Sequence, residues 1–166
     1  MAGTIKLDGT TFLTKSGSDF TLNNIANHGT ITSATTFPAG HVIQVVTGTT
    51  TGVSVSITPR NSSSKIFIIC NTSSYVNGGT AHVGYYTIYR DSTDLGTGGV
   101  GFADIYQGSG SGDDLGSNIC ISELDSPNTS SAITYEMRAR SSSSSHTVYW
   151  SMNNSKSDIT VMEIAG

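Results

Sequence analysis

The chain has 166 residues, of which 36% are hydrophobic and only 12% are charged, and its formal net charge is −4 at pH 7. This length suits one domain with an extension, and 8 Lys and Arg against 12 Asp and Glu give no basic stripe, which argues against a nucleic-acid partner. No apolar run approaches the ~18 residues of a transmembrane helix, and the first residues lack the charged and apolar regions of a signal peptide. The sequence therefore predicts no membrane partner and no signal peptide.

The first forty residues contain few apolar side chains, widely spaced among Thr, Asn and Gly. Residues 5–7 and 10–13 flank Asp8-Gly9, a pair that suits the positive φ angles of a tight hairpin turn. Because such a stretch cannot build a core by itself, we predict that residues 1–40 form an extended attachment arm that other contacts hold in place. The candidate anchoring residues are its larger apolar side chains, Ile5, Leu7, Phe12, Leu13, Phe20 and Leu22.

Residues 41–166 show the pattern of a compact β domain. Residues 53–57 alternate strictly between apolar and polar, as in a half-buried strand. Residues 65–70 begin with Lys65 and are otherwise continuously apolar, which predicts a strand covered on both faces. With turn residues between the strands and no convincing helix, the sequence predicts an all-β jelly roll or β-sandwich of about eight strands, preceded by the extended N-terminal β arm. The expected strands are 42–46, 53–57, 65–70, 81–90, 100–106, 118–124, 132–140, 146–152 and 158–164.

Motifs that indicate chemistry are sparse. The four histidines show no metal-ligand spacing, no Gly-x-Ser-x-Gly nucleophile motif is present, and the three glutamates lie in predicted strands rather than as a glycosidase-like pair. Several aspartates can supply calcium ligands, although a solvated loop is the simpler interpretation of their spacing. These aspartates are Asp91, Asp94, Asp104, Asp113 and Asp114. We therefore predict a protein that is not an enzyme and has no catalytic residues, no metal and no cofactor.

The cysteines and the Gly-rich segment have structural interpretations. Cys70 and Cys120 each lie in an apolar run, which favours free, buried thiols over a disulfide. Residues 96–101 contain four glycines but no lysine, and no helix follows them. This segment is therefore predicted to be a strand or hairpin loop rather than a phosphate-binding loop.

Aromatic residues are numerous for so polar a chain. Alternation over residues 81–90 places Tyr85 and Tyr89 on one face of a strand and Tyr86 on the other. Most of the aromatic side chains are expected in the core or in a subunit interface, where Tyr and Trp are enriched. The alternative is a sugar-binding platform, for which residues 146–150 are the best exposed candidate. The candidate glycan-binding or interface residues are Tyr149, Trp150 and His146.

Three turn-and-strand segments resemble virion proteins of aquatic phages, the cyanophages and their relatives. They are residues 29–45 (GTITSATTFPAGHVIQV), 57–66 (ITPRNSSSKI) and 86–91 (YTIYRD), and the resemblance extends over about residues 29–166. Proteins of this group are fibre, tail or capsid-surface proteins, and their domains resemble the trimeric jelly rolls of the tumour-necrosis-factor and C1q type.

The resemblance implies a homotrimer on the virion surface, made in the host cytoplasm and without catalytic residues. The short chain and its arm favour a capsid decoration (cement) or head-fibre protein, anchored through residues 1–40 to the major capsid protein or to sister subunits. The alternative is a tail-fibre or receptor-binding tip that is joined to tail proteins and recognises a host surface glycan.

Overall fold

The computed structural model describes residues 3–7, 10–16, 19–22, 37–48, 53–77, 81–108, 115–150 and 155–166. The chain divides into an N-terminal unit, Met1–Thr36, and a main unit, Phe37–Gly166. All regular structure in the described residues is β, which confirms the predicted fold class. The main unit begins before the predicted boundary at residue 40, because residues 40 and 41 are hydrogen-bonded to its C-terminal end. The Gly40 N–H donates to the carbonyl of Ala165 at 2.7 Å, and the Ala165 N–H donates to the carbonyl of His41 at 2.8 Å.

The N-terminal unit contains a three-stranded antiparallel sheet in the order β1-β2-β3. Its strands are β1 (Gly3–Leu7), β2 (Thr10–Ser16) and β3 (Asp19–Leu22). Leu7 pairs with Thr10 across the first turn, so β1 and β2 form the predicted hairpin. The turn itself, at residues 8–9, lies outside the described residues.

The described residues of the main unit form ten strands. They are β4 (Val42–Gly48), β5 (Ser54–Ile57), β6 (Lys65–Val76), β7 (His82–Arg90), β8 (Thr93–Asp94), β9 (Ala103–Gln107), β10 (Leu115–Asp125), β11 (Ile133–Ser141), β12 (Val148–Trp150) and β13 (Asp158–Ile164). Each of the nine predicted strands has a counterpart, and the two-residue strand β8 is additional. Predicted and observed ends differ most at β6, which continues past Cys70 to Val76, and β9 begins at Ala103 rather than at residue 100. Residues 151–154 lie outside the described part of the chain.

The ten strands form two antiparallel sheets. Sheet I has the order β10-β6-β13-β4, with β12 pairing β6 beyond the end of β13. Sheet II has the order β5-β11-β7-β8, with β9 also pairing β7. Because the chain crosses repeatedly between the two sheets, most neighbours within a sheet are not consecutive in sequence. This arrangement is the predicted jelly-roll sandwich.

The core lies between the two sheets and follows the alternation of their strands. In β6, Ile66, Ile68 and Cys70 are fully buried while the residues between them are half-buried. In β7, Tyr86 and Ile88 are fully buried, so the predicted division of this strand into two faces is confirmed. A fully buried aliphatic side chain stabilises a fold by about 1.5–3 kcal/mol. The apolar core therefore accounts for the stability of the main unit without any disulfide among the described residues.

Candidate functional site

An apolar row crosses the outer face of sheet I. Strand pairing places Leu124 beside Phe67, Phe67 beside Met162, and Met162 beside Val45. Leu124 is 49% exposed and Val45 is 55% exposed, while Phe67 and Met162 are half-buried. We call these four residues the outer row. It spans four strands, roughly 15 Å at the usual strand spacing.

On the other face of sheet I, the residues next to the outer row lie in the core. The neighbours of Phe67 in β6 and of Met162 in β13 are fully buried, since each strand alternates between its two faces. At the outer row, sheet I therefore carries apolar side chains on its outer face as well as in the core, whereas an antiparallel sheet at a surface commonly has one polar, solvated face. The sequence predicted that residues 65–70 are covered on both faces, and the described chain fully covers only the inner one.

Uncharged polar residues follow the outer row along the sheet. The next position across the four strands holds three hydroxyl residues, Ser122, Thr160 and Thr47, and one apolar residue, Ile69. The hydroxyls of Thr47 and Thr160 are 3.1 Å apart and hydrogen-bonded to each other. Because these groups are uncharged and partly satisfy one another, removing them from water costs less than burying charged side chains would.

The two cysteines face opposite sides of sheet I. Cys70 is buried, and burial, with a smaller contribution from Asp158, raises the pKa of its thiol from 9.0 to about 12. Cys120 is free but exposed, because Ile119 and Ile121 occupy the core-facing positions on either side of it. The prediction of free thiols is confirmed for both, and the prediction that both are buried is wrong for Cys120.

The predicted glycan or interface residues do not form one platform in the described structure. Tyr149 is 39% exposed and stacks on Tyr75, its partner across the β12–β6 pairing, with ring centroids 4.5 Å apart. His146 instead stacks on His82 with centroids 3.9 Å apart, and His82 is buried. The Trp150 backbone pairs with Ser74, and its side chain lies outside the described part of the structure.

The six candidate anchoring residues all lie in strands of the N-terminal sheet. Backbone register places Ile5 opposite Leu13, and Leu13 opposite Leu22. Phe20 pairs with Lys15. Leu7 pairs with Thr10 at the end of the hairpin, and the register between β1 and β2 shifts so that Phe12 has no direct partner in β1.

A second surface feature lies on the outer face of sheet II. The guanidinium carbon of Arg138 lies 4.0 Å from the ring centroid of Tyr89, and that of Arg140 lies 4.4 Å from the ring centroid of Tyr85. These four side chains and residues 99–101 of the Gly-rich loop help to line a cleft of about 250 Å³. We call it the tyrosine–arginine cleft. The sequence indicated that Tyr85 and Tyr89 share a face, but it contained no signal that β11 would place two arginines above them.

The loop aspartates have roles within the fold. Asp91 accepts a hydrogen bond from the backbone N–H of Thr134 at 2.9 Å, and Asp94 accepts from the backbone N–H of Gly96 at 2.9 Å. Among the described residues, no group of three His, Cys, Asp or Glu side chains is placed to hold a metal ion. Two of the five aspartates considered as calcium ligands, at positions 113 and 114, lie outside the described residues.

Glu163 is the most enclosed acidic residue that the structure describes. It is fully buried, and its Oε1 accepts a hydrogen bond from the backbone N–H of Arg60 at 2.7 Å. With the Gln44 amide oriented to donate, its nitrogen lies 3.2 Å from Glu163 Oε2 and 3.3 Å from the Thr58 carbonyl. The carboxylate therefore links β13 to β4 and to the segment that follows β5. Such hydrogen bonding is expected of a buried acidic group with a structural role.

Comparison with known proteins adds no relative. No protein-family model matches the chain, and no curated protein sequence matches it. The described residues also contain no helix with the length and apolarity that a membrane crossing requires. Two surface features of the described residues suggest binding, the outer row of sheet I and the tyrosine–arginine cleft of sheet II.

Proposed function

We propose that this chain is a non-enzymatic structural protein of a phage virion, a capsid decoration (cement) or head-fibre protein that associates with copies of itself through sheet I. The observation that supports the proposal most is the outer row, where two exposed and two half-buried apolar side chains adjoin in register. Contiguous exposed apolar surface of this kind is typical of an interface.

Self-association through this row follows from elementary energetics. Apolar surface removed from water contributes about 25 cal/mol per Å², and the Ser and Thr residues beside the row add no charge to desolvate. When identical copies are related by a rotation that closes into a ring, each copy buries the same surfaces, and the ring contains a fixed number of chains. The choice of a trimer follows from the resemblance to phage virion proteins with trimeric jelly rolls.

The N-terminal unit is assigned the role of attachment to the virion. It is compact by itself and precedes a main unit whose core cluster, among the described residues, consists of side chains of residues 53–161 with Val46 packed against it. A separate small unit can bind the major capsid protein without disturbing the jelly roll. The candidate contacts are the apolar residues of its three strands.

The location is tested by labelling purified virions with antibodies raised against the main unit. A decoration or head-fibre protein gives label distributed over the capsid shell. Label confined to the end of the tail would instead support the second candidate, a tail-fibre or receptor-binding tip. Virions without label would contradict both locations.

The tyrosine–arginine cleft favours the second candidate. A receptor-binding tip needs a surface site for a host glycan, and the cleft combines aromatic rings with hydrogen-bonding side chains on an outer sheet face. The two candidates share the same trimer, so the antibody experiment separates them while the mass of the assembly does not.

A further inference from the structure

We propose that the tyrosine–arginine cleft binds an acidic sugar, recognising its carboxylate through Arg138 and Arg140. The proposal deepens the receptor-binding candidate and rests on it for its biological role. The site is distinct from the segment 146–150 that the sequence suggested, since it lies on sheet II whereas Tyr149 lies on sheet I.

The two arginines are held ready for a carboxylate. Arg138 and Arg140 lie two residues apart on β11, so their side chains leave the same face of sheet II. The rings of Tyr89 and Tyr85 hold the two guanidinium groups by cation–π contact at 4.0 and 4.4 Å. A guanidinium stacked on a ring keeps its N–H edge available, and this planar edge matches the two oxygens of a carboxylate.

Hydrogen bonds within the protein position these groups but use few of their donors. Arg138 Nε donates to Glu136 Oε2 at 2.7 Å, and Arg140 Nη2 donates to the Gly99 carbonyl. Each guanidinium has five N–H donors, so the bonds that fix each arginine leave further donors for a ligand. Glu136 and Gly99 therefore act as positioning groups for the pair.

The rest of the cleft suits the body of a sugar. Val100 is 49% exposed beside the tyrosine rings and provides apolar contact for the C–H face of a sugar ring. Asp94 accepts hydrogen bonds from the Thr87 hydroxyl and the Gly96 N–H, both through Oδ1. Its Oδ2 can accept from a sugar hydroxyl. The cleft thus combines donors for a carboxylate, an acceptor for hydroxyls and an apolar wall.

The Gly-rich loop 96–101 gives the cleft its shape. Gly101 has φ +83°, and a Cβ on it would lie 2.2 Å from the Tyr86 carbonyl oxygen, so only glycine lets the loop lie this close to β7. Gly99, with φ +71°, presents the carbonyl that Arg140 binds. At about 250 Å³, the cleft falls just below the ~300–1,000 Å³ of drug-sized ligand sites, which suits one sugar residue.

The charges around the cleft favour a ligand with a single carboxylate over a polyanion. The two arginines are offset by Glu136 beside them and by Asp94 in the cleft, and the chain as a whole carries a net charge of −4. A nucleic acid or other dense polyanion requires a basic surface several residues long. An acidic sugar presents one carboxylate among neutral hydroxyls, which matches this arrangement.

The test is an NMR titration of the full chain with methyl β-D-glucuronide and, as a neutral match, methyl β-D-glucoside. The glucuronide is expected to bind saturably, to shift the amides of residues 85–89 and 138–140, and to bind at least about tenfold more tightly than the glucoside, because charge-assisted hydrogen bonds are the stronger ones. Equal affinities, or shifts confined to other residues, would overturn the proposal.

Two sets of variants assign the binding to the arginines. The double variant Arg138→Gln/Arg140→Gln is expected to lose at least about tenfold in glucuronide affinity, whereas Arg60→Gln, which removes one positive charge from an exposed position outside the cleft, leaves affinity unchanged. If the double variant does not fold, Arg138→Lys/Arg140→Lys retains the charge and is expected to bind several-fold more weakly. Unchanged affinity in either double variant would overturn the proposal while leaving the trimer and the virion location untouched.

Discussion

The phenolic hydroxyl of Tyr135 donates a hydrogen bond of 2.7 Å to Asp125 Oδ2, and this bond joins the two sheets. Arg90 Nη1 contacts both oxygens of the same carboxylate at 2.8 Å. Tyr135 is fully buried, and burial followed by the hydrogen bond to Asp125 raises the pKa of its phenol above the ordinary value. Asp125 on sheet I is thus held by two residues of sheet II.

We expect Tyr135→Phe to destabilise the main unit by about 1–3 kcal/mol, because it leaves Asp125 with one partner fewer in a partly buried site. Urea unfolding followed by circular dichroism measures the change. Tyr106→Phe is the matched control, since Tyr106 is 61% exposed, and it should change the free energy of unfolding little. A Tyr135→Phe variant as stable as the wild type would contradict a structural role for the bond.

Because the Cys70 thiol is buried, the free energy of unfolding depends on pH in the alkaline range. Its pKa is raised from 9.0 to about 12 in the folded chain, with burial as the main cause. Below pH 9 the thiol is protonated in both the folded and the unfolded chain, so its contribution to stability is fully present. Between pH 9 and about 12 the thiol ionises only in the unfolded chain, and this contribution is lost. Burial also raises the pKa of Tyr86 above 10.0, which adds to the loss at higher pH.

We therefore expect the free energy of unfolding to fall less steeply between pH 8 and pH 10.5 in Cys70→Ala than in the wild type. The cavity left by the substitution lowers the free energy of unfolding at neutral pH but does not affect this comparison of slopes. Cys120→Ala is the matched control and should keep the wild-type slope, because the Cys120 side chain is exposed. Identical slopes for Cys70→Ala and the wild type would show that the thiol ionises equally in both states.

Thiol reactivity distinguishes the two cysteines directly. In the native chain we expect an aromatic disulfide reagent to modify Cys120 and not Cys70, since Cys120 is exposed and Cys70 is buried. Both should react in denaturant. Rapid reaction of both thiols without denaturant would contradict the placement of Cys70 in the core.

Deletion of residues 1–36 separates attachment from folding. The division of the chain into two units predicts that residues 37–166 retain the jelly roll and its cooperative unfolding. The same deletion should abolish binding to isolated capsids. A shortened chain that fails to fold would show that the N-terminal unit belongs to the core of the main unit.

Much of the fold follows from local sequence pattern. The strict alternation of residues 53–57 and the apolar run of residues 65–70 both correspond to strands, β5 and β6, because side chains alternate between the faces of a strand. The inward position of Tyr86 followed from the same alternation. Patterns within one strand were therefore sufficient to predict the all-β class and the approximate strand positions.

The surface features depend on pairing between distant strands, which no local pattern specifies. Leu124 adjoins Phe67, and Met162 adjoins Val45, only because β10, β6, β13 and β4 are neighbours in sheet I. The local signals were the apolar run that contains Phe67 and the pair Val161-Met162, where two consecutive apolar residues interrupt the alternation. The stacking of His82 on His146 likewise joins residues that are far apart in the sequence.

The mass of the purified protein in solution, measured by light scattering, tests the proposed self-association most directly. We predict three times the chain mass of 17.3 kDa for the wild type and for Tyr106→Lys, whose substitution lies on sheet II outside the outer row. The variant Val45→Lys/Leu124→Lys, which places charge at both exposed ends of the outer row, should have the mass of a single folded chain. A single-chain mass for the wild type, or an unchanged trimer in the double variant, would contradict the assignment of the outer row as the interface.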